Sequence, residues 1–387
     1  MPTTLPNLCR DRLFNLADGC DLVITDRPLH IGYLSGYRSI LHDMASYNQL
    51  LIASRDRVVL VTGASDVCAA LEALGDPELI YPYGVFYVTD LPLAHEPAAT
   101  FLDAVKSAVH DVVGGSGKIL LDIDNSKTLE ALSAILPSDV QTQDGAAAFA
   151  RARAVKLPEE ISALKYAAQT TDRAIAQGAA LIQPGITENE VAAEISAVMR
   201  RGGGVPRFVV VTSAERSARV DAYATDRVLL DGDIVRIDVG GTFAGYQSDM
   251  ARSFVCGTMN DTAAERYKYL LSGEQAALDL VRPGVSARDI FQTAVEEVRR
   301  GPLSDYRRNH VGHGIGLSAH EFPYLTAEND VEIDTGMVLC VETPYYEYGW
   351  GGIMVEDTVV VTDKGIERFT TSTREFRDPR GTASKEH

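Results

Sequence analysis

The sequence predicts an α/β domain over residues 1–155 followed by a duplicated α+β domain over residues 156–387. Three observations predict this. Short apolar runs alternate with helical patterns in the first half. The pattern changes at Lys156. The second half contains an internal repeat whose offset is 99 residues throughout (184 to 283, 187 to 286, 202 to 301).

In the first half, Asp21–Thr25, Leu50–Ala53, Arg57–Thr62 and Lys118–Asp122 have the length and apolar content of strands. Ser54-Arg55-Asp56 supplies a polar turn between the second and third. Ala64–Leu74 and Ala98–Val113 fit helices. Strands alternating with helices point to a layered α/β domain. At Lys156-Leu157-Pro158-Glu159-Glu160, a proline and two acids open a long helical pattern, which is a good helix start.

The repeat pairs Leu181–Thr187, continuing to Arg200-Arg201-Gly202, with Leu280–Ser286, continuing to Arg299-Arg300-Gly301. In each copy a helix ends at Pro-Gly, Thr or Ser caps the next helix, and Arg-Arg-Gly closes it. A strand pair bearing acids follows each copy. Asp233–Gly241 and Tyr246–Val255 form the first expected hairpin, with Asp238 and Asp249 on its two strands. Met337–Glu342 and Gly351–Val361 form the second, with Glu342 and Glu356, around a Gly-rich turn. One acid at a strand end is ordinarily solvated. Four on two related hairpins, within apolar runs, are costly unless paired or metal-bound.

The histidine segment His310-Val311-Gly312-His313-Gly314-Ile315-Gly316-Leu317-Ser318-Ala319-His320 places three imidazoles within eleven residues. Glycines on both sides of His313 permit close backbone approach to a bound ion or substrate. One imidazole with several carboxylates is a mixed N/O donor set suited to manganese, cobalt, iron or zinc. Five ligands, four of them carboxylates, exceed what one four-coordinate ion needs, so two divalent metal ions are expected, manganese first.

The formal net charge of -18 argues against nucleic acid or an anionic membrane surface as partner, since both require a positive field. Five widely spaced cysteines match no zinc or redox spacing and fit reduced thiols in a cytoplasmic protein. The N-terminal residues lack the basic start and apolar run of a signal peptide, and no apolar stretch is long enough to span a membrane. The expected location is the cytoplasm.

With these residues in place, the chain resembles the pita-bread metallopeptidases, the family of Xaa-Pro aminopeptidases, prolidases and methionine aminopeptidases, with creatinase as a metal-free relative. The likeness to the aminopeptidase P and prolidase branch covers nearly the whole chain. His30-Ile31-Gly32-Tyr33-Leu34-Ser35-Gly36-Tyr37 matches that branch's creatinase-like N-terminal domain. The resemblance implies a metal site of Asp238, Asp249, His313, Glu342 and Glu356, with Asp249 bridging two ions. It implies that the ions polarise a water and the scissile carbonyl, that Glu342 also shuttles a proton, and that His320 stabilises the oxyanion or leaving group. His310 falls near another pocket histidine, catalytic or substrate-binding. It further implies a homodimer, in which the aromatic segment Tyr81–Tyr87 could form a contact.

Two positions depart from the family pattern. Val220-Asp221-Ala222 stands where proline-specific relatives often read Pro-His-Ala, so Asp221 replaces a substrate-binding histidine. Met354 stands where the family has an arginine, two residues before the last Glu ligand. A buried Asp221 would repel a substrate carboxylate by several kcal/mol and attract an ammonium or amidinium. The function expected is hydrolysis of a C–N bond in a dipeptide or other small molecule. The alternatives are a non-peptide amide or amidine hydrolase like ectoine hydrolase or creatinase, a lyase on the same fold, and a binding module that has lost catalysis.

Overall fold

A computed structural model of the chain describes residues 4–41 and 48–381. It divides into two compact units, Met1–Arg153 and Ala154–His387.

The first unit is a six-stranded sheet with helices α1 (Leu5–Leu16), α2 (Pro28–Ser35), α3 (Val67–Leu74), α4 (Phe101–Val112), α5 (Ser126–Ile135) and α6 (Ala146–Ala154). Its strands are β1 (Leu22–Thr25), β2 (Leu50–Ala53), β3 (Val58–Gly63), β4 (Ile80–Tyr83), β5 (Gly117–Asp122) and β6 (Val140–Asp144), in the order β4-β3-β2-β1-β5-β6. The antiparallel β1–β2–β3 centre is flanked by parallel pairings of β1 with β5, β5 with β6 and β3 with β4. Two helices begin later than their patterns suggest. Ala64–Asp66 is a 3₁₀ turn before α3. In α4, Thr100 caps the helix by accepting from Asp103 N, while Ala98 bridges to Tyr83. The His30–Tyr37 segment forms α2 and its C-cap, with Gly36 left-handed at φ 77°. His30 is buried, stacked on Phe149 at 3.9 Å and 2.5 Å from Asp122, so this segment builds the core of its own unit.

The second unit shows the repeat as two helix pairs. In the first, α7 (Pro158–Ala179) is followed by α8 (Glu188–Arg201). In the second, α9 (Asp261–Leu280) is followed by α10 (Ala287–Arg299). Thr187 and Ser286 cap α8 and α10 by accepting from Glu190 N and Asp289 N. The turns before them match as well: Gly185 N donates to Leu229 O and Gly284 N to Ile333 O. Both glycines have positive φ, 98° and 83°, which favours glycine over any residue with a Cβ.

The first helix pair packs on a three-stranded sheet of β7 (Val205–Ser213), β8 (Ile234–Phe243) and β9 (Tyr246–Val255), sharing a core that includes Ile195, Val211, Ile237 and Met250. The second packs on a five-stranded sheet of β10 (Gly312–Gly314), β11 (Glu321–Tyr324), β12 (Val338–Glu342), β15 (Glu356–Thr362) and β16 (Gly365–Arg368), around Leu270, Ile290, Leu339 and Val359. The strand expected over Gly351–Val361 is broken. Gly351–Ile353 (β14) pairs instead with Tyr345–Glu347 (β13), and the chain re-enters the main sheet only at Glu356. The cause lies in partners distant in sequence: Gly352 N donates to Ser217 Oγ and Met354 N to Ser253 Oγ, so these amides bond to the first half.

Candidate metal and catalytic site

Register alone puts the acids on one face. In β8–β9, Gly240 lies opposite Asp249, and Asp238 is two residues before Gly240, so Asp238 and Asp249 project to the same side. In the second sheet, Glu342 lies opposite Glu356, Cys340 opposite Thr358, and His313 opposite Cys340. Hence His313, Glu342, Glu356, Cys340 and Thr358 share a face. Hydrogen bonds close the two sheets on each other at this point. Thr358 Oγ1 and Cys340 Sγ both donate to the Asp249 carbonyl, at 2.9 and 3.8 Å. Arg252, buried, donates to the Glu356 carbonyl and pairs with Asp357.

The result is a cavity of about 560 Å³ with Asp238, Asp249, His310, His313, Glu342 and Glu356 in its lining. Potential ligand atoms lie within 4.8 Å of one another in three sets: Asp238, Asp249 and Glu356; His313, Cys340 and Glu356; Asp249, His313 and His320. Glu342 falls outside these sets. Its Oε1 is 3.1 Å from His310 Nδ1, and its Oε2 is 3.8 Å from Arg308. The His310 contact is not aligned as a hydrogen bond, which leaves that nitrogen without a partner.

The electrostatics are those of crowded acids. Burial, then repulsion from Asp238 and Glu342, raises Asp249 well above the ordinary carboxylate range. Burial, then Asp249, Glu342 and Asp238, does the same to Glu356. Glu342 is pushed up to about 7, by burial first and then Asp238, against the opposing pull of Arg308 and Arg236. Asp238 is also raised, by burial and by Asp221, although Arg236 opposes it. A cation would relieve all four. Burial, with His320 next in effect, pushes His313 down to about 3. Its Nδ1 is 3.1 Å from the Gly314 carbonyl, which can only accept. That contact assigns the ring proton to Nδ1 and leaves the Nε2 lone pair, 3.8 Å from Asp249, as the donor to a metal.

Burial pushes His310 down to about 4. His320 is half-exposed at the rim, stacked on His313 at 3.7 Å with Nε2 3.9 Å from Asp249. Asp221 lies in the wall and is exposed, so its charge is screened, which corrects the expectation of a buried contact worth several kcal/mol. Its loop is held by buried Glu188, which accepts from Ser213 N and Oγ and from Thr225 N and Oγ1 at 2.7–3.1 Å. Met354 is buried in the wall beside Tyr346.

Three contributors escape the sequence reading. Cys340 is a thiol that burial keeps protonated and that donates to Asp249 O. Arg308 could have been noticed two residues before His310. Arg236 was signalled more strongly, as a charge inside Ile234-Val235-Arg236-Ile237-Asp238 on the same strand face as Asp238.

Comparison with known proteins gives the family and the fold. Residues 162–363, more than half of the chain, match metallopeptidase family M24. A stretch of 226 residues is 33% identical to the Xaa-Pro dipeptidase of Pyrococcus furiosus, covering 58% of this chain and 65% of that one. Another of 217 residues is 38% identical to the probable dipeptidase PepE of Mycobacterium bovis, covering 56% and 58%. The match thus spans less than two thirds of these relatives' lengths. Fold similarity reaches further. The X-Pro aminopeptidase from Thermotoga maritima superposes with a TM-score of 0.80 at 26% identity, over 95% of this chain and 99% of that one. Fold and site together define a two-domain protein of the pita-bread class. The chain belongs to metallopeptidase family M24.

Proposed function

We propose that the protein is a divalent-metal-dependent dipeptidase, with Asp238, Asp249, His313, Glu342 and Glu356 holding two cations, manganese first, with cobalt, zinc or iron as alternatives. The observation that carries this reading is the convergence of four carboxylates and the His313 Nε2 lone pair on one cavity. Such a hard, mixed N/O set suits these metals. The named relatives, Xaa-Pro dipeptidases and PepE among them, support a peptide substrate over the other reactions open to this fold. When bound, two cations polarise a water and the scissile carbonyl.

The chain's own residues do the rest. Glu342, beside the set formed by Asp238, Asp249 and Glu356, takes a proton from the attacking water and passes it to the leaving nitrogen. His320 at the rim donates to the developing oxyanion or leaving group. His310, in the cavity lining beside Glu342, is placed to meet the substrate. Asp221 faces His320 electrostatically and would draw the substrate's ammonium, while Met354 offers an apolar wall. A cytoplasmic homodimer is part of the same reading. The exposed Val85, Phe86 and Tyr87 offer one surface for the dimer.

The test is hydrolysis of Ala-Pro, Met-Pro, non-proline dipeptides, dipeptides with a cationic side chain and tripeptides, each with Mn²⁺, Co²⁺, Zn²⁺ or Fe²⁺. Dipeptides should be cleaved only with metal, those carrying a cation near the cleaved bond better than Ala-Pro. Asp221→His should shift the ratio toward Ala-Pro by roughly fivefold, the scale of an exposed charge pair. A native kcat/KM for Ala-Pro above about 10⁴ M⁻¹s⁻¹ would show that Asp221 does not redirect specificity. Failure to take up any of these metals would remove the reading.

A further inference from the structure

Arg236 is a charged side chain in the interior of β8, and none of it reaches solvent. A buried guanidinium is costly unless its donors are all satisfied. Here they are. Nη1 donates to Asp238 Oδ2 at 2.9 Å. Nε donates to the Ser217 carbonyl at 3.1 Å. Nη2 donates to the carbonyls of Arg219 and Val220 at 2.9 and 2.6 Å. The guanidinium lies 5.2 Å from the Tyr346 ring centroid, and Nη1 is 3.9 Å from Met354 Sδ.

Two consequences follow from this geometry. One oxygen of Asp238 is fixed by a charge-assisted bond, which turns the carboxylate and leaves its other oxygen for a cation. The backbone leading directly into Asp221 is tied to the same side chain, so ligand and pocket wall share one support. Arg236 also fills the space beside residue 354. A second guanidinium there would meet the first, which accounts for a methionine at that position.

We propose that Arg236 is the positioning residue of the metal centre, holding Asp238 in its ligating orientation, and that it occupies from β8 the place a side chain at 354 could otherwise reach. This rests on the metal-site reading above. It predicts an epistatic pair. Arg236→Met should weaken Co²⁺ binding to the full-length chain by about 10–100-fold, the usual effect of removing a ligand's outer partner, and should alter the visible absorption of bound Co²⁺. Met354→Arg should also weaken it, by forcing two guanidiniums together. The double variant Arg236→Met/Met354→Arg should bind Co²⁺ within about threefold of native, because one guanidinium again faces Asp238.

Titration calorimetry and absorption spectra of the four proteins decide the matter. Native affinity in Arg236→Met, or a double variant no better than the worse single variant, overturns the proposal. If Arg236→Met does not fold, the double variant decides alone: folded with tight Co²⁺ supports it, unfolded or weakly binding overturns it. A native chain that binds no Co²⁺ would instead defeat the metal-site reading itself.

Discussion

At the scale of single residues, His320 sits between two roles. Its Nε2 is within reach of Asp249 and its ring stacks on His313, so it belongs to one of the three potential ligand sets. Yet its side chain is 51% exposed, whereas that of His313 is 1% exposed, and a ligand is ordinarily the more enclosed of two such rings. The exposed position is the one from which a donor can meet substrate. His320→Ala should therefore lower kcat by about 100-fold, the scale of an electrostatic or acid–base group, with metal content unchanged. Metal analysis beside steady-state kinetics separates the roles, since a variant that loses metal would make His320 a ligand. That Asp238, Asp249, His313, Glu342 and Glu356 meet at one cavity was legible, because an acid or a glycine-flanked histidine inside apolar strands is conspicuous. The exposure of Asp221 was not, because it depends on a loop held by Glu188 from 33 residues earlier in the chain.

At the scale of elements, the helix starts at Pro158, Thr187 and Ser286 were readable, since caps and N-terminal prolines are local signals. The first hairpin was readable too, because two strands on either side of a tight turn carry their register with them. The second was readable only in part. Gly351–Ile353 leaves the strand to satisfy partners in the other half, and no local pattern encodes that. Strand β7 went unread as well. Register gives Gly240 a specific duty. A Cβ there would lie 2.2 Å from the Ser248 carbonyl oxygen and 2.4 Å from the Phe208 ring. Backbone cannot rotate aside as a side chain can, so β8 and β9 would have to separate between Asp238 and Asp249. Gly240→Ala should cost about 1–3 kcal/mol by overpacking, and should weaken metal binding beyond what the loss of stability explains. Unfolding with and without Mn²⁺ measures both. A variant with the native metal-induced stabilisation would show that the hairpin absorbs the methyl without moving its acids.

At the scale of the whole molecule, the strand ends that carry the site are backed by an ionic cluster that no single segment reveals. Asp357, next to the proposed ligand Glu356, pairs with Arg252 and Arg368 and accepts from Thr370 Oγ1 at 2.6 Å. Behind it, fully buried Glu274 on α9 accepts from Arg374 at 2.9 Å through one oxygen, and its other oxygen has no partner. Burial, reinforced by Asp357 and opposed by Arg252 and Arg374, pushes Glu274 from its ordinary 4.5 up to about 8. Folded protein thus keeps a proton that the unfolded chain loses near pH 4.5. Stability from this group falls as pH rises through the window from about 4.5 to about 8, by up to about 1.4 kcal/mol per unit, and is constant above it. Asp357 acts elsewhere on the scale. Burial would raise it, but Arg252, Thr370 and Arg368 together hold it below its ordinary 3.8, so its effect is confined to acid. Glu274→Gln mimics the neutral acid and cannot ionise in either state. The stability of this variant relative to native should be about 1 kcal/mol or less at pH 5, grow through pH 6 and 7, and level off above about 8. Urea unfolding of both proteins from pH 5 to 9 reads this difference directly, and the site's other carboxylates cancel in the subtraction. Parallel pH profiles for the two proteins would mean that Glu274 is charged in its cluster at neutral pH, with Arg374 outweighing burial.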